Sequence, residues 1–132
     1  MKTNLKRIVM VLLVLVPMIA ISQVTTKKVV FPRGKSGTTI KGVCKGEQTI
    51  EYILSLGPNQ ALAVDMKTNV NACYFNLIAP NGDFLLAGER EDLKKFKATV
   101  TAPGDYKIQV YNMRSVARKG TPSSYTLTIS AK

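Results

Sequence analysis

Few residues in this sequence are of the types that carry out acid–base or metal chemistry. The chain has no histidine, so it lacks the commonest general base, the commonest transition-metal ligand and any serine–histidine or cysteine–histidine dyad. Its eight acidic residues show no pair set to face each other across a cleft, as a glycosidase needs. Its two cysteines lack the close spacing of a zinc site. We therefore predict that the protein is not an enzyme and has no catalytic residues, metal or cofactor.

The segment 111–120, with the sequence YNMRSVARKG, has the residue types and spacing of a binding loop. It joins two strand-like segments and is longer than the usual hairpin loop of about 2–5 residues, and long loops often bind partners. One helical turn here would place Arg114 and Arg118, four residues apart, side by side. Two adjacent guanidinium groups suit carboxylates. The alternative is a solvated loop whose arginines pair with acidic residues of the same molecule.

The elements that must hold this loop are β-strands, because apolar and polar residues alternate with a period of two along most of the chain. The alternation is regular in residues 49–56, 95–102, 106–110 and 125–129, and weaker in residues 27–31, 38–44, 60–66 and 73–79. In the segment 95–102 the residues expected to face the core are Phe96, Ala98, Val100 and Ala102. Turn signals separate these segments, and only residues 89–94 suit a helical turn. The sequence predicts an all-β fold, a single antiparallel β-sandwich or jelly roll of about eight short strands.

Residues 1–22 have the features of a cleaved signal peptide. Three cations precede an uncharged apolar stretch, and Ala20-Ile21-Ser22 supplies the small residues that signal peptidase recognises. The apolar stretch is shorter than the roughly 20 residues of a membrane span and is interrupted by a proline. We therefore expect export to the periplasm or beyond the cell, no stable membrane insertion, and one β-sandwich domain at residues 23–132.

The predicted domain is strongly basic. Of the 19 Lys and Arg residues three lie in the leader, which leaves 16 against eight acidic residues. Such a charge favours anionic partners, but an exported protein is not expected to bind nucleic acid. The alternative is that lysines on exposed strands prevent edge-to-edge pairing and keep the protein in solution.

Cys44 and Cys73 are the two cysteines of the chain. An oxidising compartment favours a disulfide between an even pair, and closing a loop of about 30 residues would add on the order of 3 kcal/mol of stability. The alternative is two buried free thiols, because cysteine also packs as a small hydrophobic residue.

An ordered series of motifs along the predicted domain resembles the periplasmic inhibitors of g-type (goose-type) lysozyme. The motifs are Val30-Phe31-x-x-Gly34, Gly42-x-x-Lys45-Gly46, Tyr52, Gln60, Val64, Tyr74, Ala102-Pro103-Gly104-x-Tyr106, Val110, Arg114-x-x-Ala117-Arg118-Lys119 and Tyr125. In that family a β-sandwich inserts loops into the substrate cleft of the lysozyme and covers its catalytic carboxylate region. The resemblance implies an exported inhibitor of g-type lysozyme whose basic loop blocks the cleft.

The same resemblance implies which residues contact the enzyme. The paired arginines of the family fall on Arg114 and Arg118, which are the principal candidates, and Lys119, Tyr74 and Glu47 are weaker ones. Glu47 stands where the family has an aromatic residue after a Lys-Gly step. The segment 75–82 resembles instead the bacterial pre-peptidase C-terminal domains, which are jelly rolls. That second resemblance implies an alternative function, a non-catalytic module that binds cell-envelope polysaccharide or protein.

Overall fold

The computed structural model describes residues 23–132, and the predicted signal peptide at 1–22 lies outside the described residues. Within residues 23–132 the chain forms nine strands and two helices of one turn each. In chain order they are β1 (Val24–Lys28), β2 (Gly37–Lys45), β3 (Thr49–Leu56), β4 (Gln60–Thr68), β5 (Cys73–Ile78), β6 (Phe84–Ala87), α1 (Gly88–Glu91), β7 (Lys95–Val100), β8 (Gly104–Asn112), α2 (Arg114–Ala117) and β9 (Pro122–Ala131).

The strands form two sheets that share one apolar core. One sheet has five strands in the order β1–β3–β8–β5–β6, and the other has four in the order β2–β9–β4–β7. Every neighbouring pair is antiparallel except β1 and β3, which run parallel. The predicted all-β antiparallel sandwich is therefore confirmed, and the described residues contain nine strands where about eight were expected.

The alternation in the sequence decides which face of each sheet lies in the core. In β3 the side chains at positions 50, 52, 54 and 56 are buried, and in β9 those at 123, 125, 127, 129 and 131 are buried. Each buried Leu, Ile or Phe contributes roughly 1.5–3 kcal/mol relative to exposure. The apolar faces of the two sheets therefore hold the sandwich together, and the intervening polar positions face water.

Two predicted strands differ from the structure, and both lie at sheet edges. The strand expected at 27–31 is β1, which begins three residues earlier, at Val24; its residues are all exposed, so no alternation marks it. In β7 Val100 is buried and Phe96 is half-buried, but Ala98 and the following Ala102 are exposed. The expectation that all four face the core was wrong, because an edge strand has a neighbour on one side only.

Gly42 occupies a position of β2 where a side chain would not fit. It lies beside Tyr125 of β9, and a Cβ atom at this position would overlap the tyrosine hydroxyl. That hydroxyl forms a hydrogen bond, 2.5 Å between oxygens, with the hydroxyl of Tyr52 in the opposite sheet. The glycine therefore makes room for a tyrosine pair that connects the two sheets.

Several loops meet at one end of the sandwich. The register pairs the last residue of β2 with the first of β9, and the first residue of β5 with the last of β8. The Lys94 ammonium donates to the Asn71 carbonyl at 2.8 Å, which joins the segment after α1 to the β4–β5 loop. We call this region the α2 end; it comprises residues 46–48, 69–72, 88–94 and 113–121.

Candidate functional site

The loop at 113–121 contains the helical turn that the spacing of its arginines suggested. The Arg118 amide donates to the Arg114 carbonyl at 3.1 Å, and buried Ala117 packs α2 onto the domain. Both arginine side chains are exposed. The one ion pair within residues 23–132 lies elsewhere, on the outer face of the five-stranded sheet. The two guanidinium groups therefore lack a carboxylate partner within residues 23–132. The structure thus differs from the alternative of a loop whose arginines pair with acidic residues of the same molecule.

Glu47 lies between the two arginines, in the turn that joins β2 to β3. It lines an open depression of about 500 Å³ together with Arg118, and a second of about 370 Å³ together with Arg114. Gly46 permits this turn because its φ is +58°, and a Cβ atom there would come within 3.3 Å of the Gly120 Cα in the neighbouring loop. The structure thus brings three of the five predicted contact residues together. Lys119 follows on the same loop and is exposed.

Tyr74 lies at the same end but is covered by other side chains. Its hydroxyl donates to an Asp92 carboxylate oxygen at 2.8 Å, and the Lys94 ammonium lies 4.8 Å from the centre of its ring. The hydrogen bond to Asp92 raises the pKa of Tyr74 above its ordinary value. Because only 9% of Tyr74 is exposed, a partner reaches the ring only if Lys94 moves away.

Tyr111 and Glu89 also belong to this site, although neither was predicted. Tyr111 pairs with Tyr74 across β8 and β5, and its hydroxyl donates to Glu89 Oε2 at 3.1 Å. Burial, followed by this hydrogen bond, raises the pKa of Tyr111 to about 12. Both side chains line the depression beside Arg114. The available signal was the position of Tyr111, which faces outward from β8 and is the first residue of the predicted binding loop.

Asn112 holds the two loops of the site together. Its side-chain amide donates to the carbonyls of Cys44 and Gly46, both at 3.2 Å, and lies 3.5 Å from the Thr121 carbonyl. The Ser123 hydroxyl donates to its Oδ1 at 2.6 Å. Asn112 and Ser123 are buried, where an unpaired polar group is costly. The sequence does carry a signal for this residue, since position 112 continues the inward series 106, 108 and 110.

Cys44 and Cys73 lie beneath the α2 end as free, buried thiols. Cys44 is in register with Ser123 in one sheet, and Cys73 with Asn112 in the other. The Cys44 thiol donates to the Gln48 carbonyl at 3.1 Å, and burial raises its pKa to about 11. Burial also raises the pKa of Cys73. The structure therefore has the second of the two alternatives, packed thiols, and not the predicted disulfide.

The α2 end carries charges of both signs. Four of the eight acidic residues of the chain lie here, with five cations: Glu47, Glu89, Glu91 and Asp92, and Arg90, Lys94, Arg114, Arg118 and Lys119. Within residues 23–132 no group of three or more acidic or cysteine side chains is placed to hold a metal ion. No helix in the same part of the chain is long and apolar enough to cross a membrane.

The fold can be compared with proteins of known structure. A scan against protein-family models finds no match, and a search of curated protein sequences finds none. Among solved structures, PliG of Aeromonas hydrophila, a periplasmic inhibitor of g-type lysozyme, is 30% identical to this chain, with a TM-score of 0.73. The match covers 83% of this chain and 98% of that one. The chain belongs to the PliG family.

Two further PliG structures have the same fold. PliG of Salmonella Typhimurium is 23% identical with a TM-score of 0.61, over 82% of this chain and 98% of its own. A mutant of PliG from Escherichia coli is 19% identical with a TM-score of 0.62, over 83% and 99%. The resemblance to periplasmic g-type lysozyme inhibitors in the sequence is thus confirmed at the level of the family.

Proposed function

We propose that this protein is exported and inhibits a g-type lysozyme by placing its α2 end in the enzyme's substrate cleft. The observation that carries the proposal is the pair of exposed guanidinium groups of Arg114 and Arg118, without a carboxylate partner in residues 23–132, in a chain of the PliG family. The protein acts in the periplasm or outside the cell as a binding partner, not as a catalyst.

The chemistry of arginine suits the centre of a lysozyme cleft. Cleavage of a glycosidic bond uses carboxyl groups, so the cleft presents hydrogen-bond acceptors of negative charge. A guanidinium group offers a planar set of donors that binds a carboxylate through two hydrogen bonds. Each such pair, once desolvated in a concave site, is worth roughly 2 kcal/mol or more. The loop backbone then occupies the space that the sugar chain needs.

The other predicted contacts have supporting roles. Glu47 stands between the two arginines, so it offers an acceptor to donors at the rim of the cleft. Lys119 adds a further cation beside Arg118. Tyr74 lies beneath Lys94 and contributes only where the enzyme displaces that lysine.

The buried amide of Asn112 supports this function because it fixes the site before binding. It joins the turn that carries Glu47 to the loop that carries the arginines. Association loses affinity when loops and long side chains become ordered on binding. A loop that is already anchored to the β2–β3 turn has less freedom to lose on binding, so less affinity is lost.

The test is lysis of peptidoglycan by a g-type lysozyme with increasing amounts of the protein, with chicken-type and invertebrate-type lysozymes run in parallel. We expect inhibition of the g-type enzyme. The double variant Arg114→Ala/Arg118→Ala should weaken inhibition by about a thousandfold, from roughly 2 kcal/mol for each arginine.

A matched control removes the same charge from another part of the molecule. Arg33→Ala/Lys35→Ala changes two exposed cations in the β1–β2 loop, outside the α2 end, and should inhibit like the unmodified protein. Undiminished inhibition by the double arginine variant would refute the proposed contacts. Absence of inhibition together with saturable binding to an envelope polysaccharide would favour the alternative of a pre-peptidase-like binding module.

A further inference from the structure

The outer faces of the two sheets differ in charge. Strand residues that point outward from the four-stranded sheet include five lysines and one carboxylate: Lys41, Lys45, Lys67, Lys95, Lys97 and Asp65. We call this surface the cationic face. The outer face of the five-stranded sheet is balanced, with two lysines and two carboxylates: Lys28, Lys107, Glu51 and Asp105. The excess positive charge on the strands is therefore concentrated on one side of the sandwich.

The register shows how these lysines are arranged. Lys41 of β2 and Lys67 of β4 both pair with Thr126 of β9, one from each side. Neighbouring strands lie about 4.8 Å apart, so the Cα atoms of the two lysines are roughly 10 Å apart. They border an open depression of about 620 Å³ that also has Ser124 in its lining. All five lysines are exposed, and none is in an ion pair with a residue between 23 and 132.

Protection of sheet edges does not account for this pattern. Lysines on β2 and β7 suit that role, because these are the edge strands of the sheet. Lys67 lies on β4, which has neighbours on both sides, so it protects no edge. Its register instead places it opposite Lys41, on the other side of Thr126, and so adds a cation to the middle of the cationic face.

The arrangement favours a planar partner over a linear one. The lysines occupy three of the four strands, and along each strand residues advance by about 3.4 Å, so the charges spread in two dimensions. A polyanionic chain is matched by a line of cations, whereas a lipid leaflet presents phosphates as a two-dimensional array. Between the lysines stand short side chains such as those of Thr39, Ala63, Ser124, Thr126 and Thr128, which permit close approach.

We propose that the cationic face docks this protein on the surface of a bilayer containing anionic phospholipids. The lysines contact headgroup phosphates, and no part of residues 23–132 crosses the hydrocarbon layer. The α2 end borders this face, because Lys45 lines the depression beside Arg118. Arg114 and Arg118 themselves project from α2 and not from the strands of the cationic face, so they remain free to contact a lysozyme. The docking is independent of the proposed inhibition.

The test is sedimentation of the protein, expressed from the full sequence and purified, with phosphatidylcholine vesicles that contain or lack phosphatidylglycerol. We expect binding only when phosphatidylglycerol is present, and weaker binding as salt increases. Each lysine near an anionic surface contributes about fivefold to affinity. The variant Lys41→Gln/Lys67→Gln/Lys95→Gln/Lys97→Gln should therefore bind at least about a hundredfold more weakly. It should still inhibit lysozyme, which separates this proposal from the proposed function.

A control variant tests whether position matters beyond net charge. Lys27→Gln/Lys28→Gln/Arg33→Gln/Lys35→Gln also removes four cations, all outside the cationic face, and should keep vesicle binding within a few-fold of the unmodified protein. An equal loss in both variants, or no binding to phosphatidylglycerol vesicles, would overturn the proposal. Binding to a soluble anionic polysaccharide without binding to vesicles would overturn it as well.

Discussion

Replacement of Asn112 with alanine should loosen the site while leaving both arginines in place. The substitution removes the amide that donates to the Cys44 and Gly46 carbonyls and approaches that of Thr121. It also removes the acceptor of the buried Ser123 hydroxyl. The backbone bond from the Gly46 amide to the Thr121 carbonyl remains. The two loops therefore stay adjacent but lose the side chain that fixes their relative position.

The expected loss of stability follows from the groups left without partners. Each buried polar group that loses its hydrogen bond costs about 1–3 kcal/mol. The Ser123 hydroxyl, at 0% exposure, is such a group, and the carbonyls at the end of β2 lose a donor. We expect the free energy of unfolding to fall by about 2–4 kcal/mol in total. Ser123→Ala leaves only the Asn112 Oδ1 without its donor and should cost about 1–3 kcal/mol.

The effect on inhibition is estimated separately from the effect on stability. Each arginine that is no longer held in position adds roughly 0.5–1.5 kcal/mol of ordering cost on binding. For Arg114 and Arg118 together, this is about 1–3 kcal/mol, which corresponds to inhibition weaker by roughly 5- to 150-fold. Ser123→Ala leaves the Asn112 amide in place and should inhibit like the unmodified protein.

The assay combines urea unfolding with inhibition of a g-type lysozyme at a temperature where each variant is folded. Inhibition is expressed per folded molecule, so that a merely less stable variant does not appear inactive. Reduced stability with unchanged inhibition per folded molecule would show that Asn112 has a structural role only. Unchanged stability of the Asn112→Ala variant would refute the buried network itself.

Three other experiments test the fold. Gly42→Ala should lower the free energy of unfolding, measured by urea titration, by about 1–3 kcal/mol, because the added methyl group overpacks against the buried Tyr125. The control Gly57→Ala should be nearly neutral, because the nearest atom to its added methyl group would be 3.6 Å away. The pKa of Tyr111 is raised from 10.0 to about 12, so the folded state favours the neutral phenol. The stability that Tyr111 contributes should be constant below pH 10 and be lost between about pH 10 and 12, so the fall in the free energy of unfolding over this range should be smaller in Tyr111→Phe. Cys44 and Cys73 should react with a disulfide reagent only in denaturant, and a denatured chain without reactive thiols would show that they form the predicted disulfide.

Regular alternation made most of the sandwich predictable from the sequence. The segment 49–56 coincides with β3, because both of its neighbours are strands and its inward face is fully covered. The edge strands β1 and β7 were predicted less accurately, because their inward faces are not fully covered. β1 has no buried residue, and the inward positions of β7 are only partly covered, so their pairing is decided by hydrogen bonds to a neighbouring strand and not by the apolar pattern.

The features of the site likewise fall into two groups: those set by residues close together in the sequence and those set by residues far apart in it. The spacing of Arg114 and Arg118 was sufficient to predict a shared helical face, because four residues make about one turn. The bonds of Asn112 connect positions 66 and 68 residues apart in the sequence. Such contacts depend on how β2 and β8 face each other across the core, and no local pattern specifies this. The bond between Tyr111 and Glu89 also joins positions far apart, 22 residues in the sequence, so the spacing of neighbouring residues did not predict it.

The distribution of charge would let this basic domain approach a target that is itself basic. A domain with 16 cations and eight acidic residues would approach a basic target against a repulsive field. Half of those acidic residues, however, lie at the α2 end, where Glu47 stands between the arginines and Glu89 beside Arg114. Fields from exposed charges decay over about 10 Å at moderate salt, so an approaching enzyme meets a nearly balanced surface. Half of the excess positive charge of the domain lies on the cationic face, where five lysines accompany one carboxylate. An anionic surface and not the lysozyme is the partner that these lysines suit.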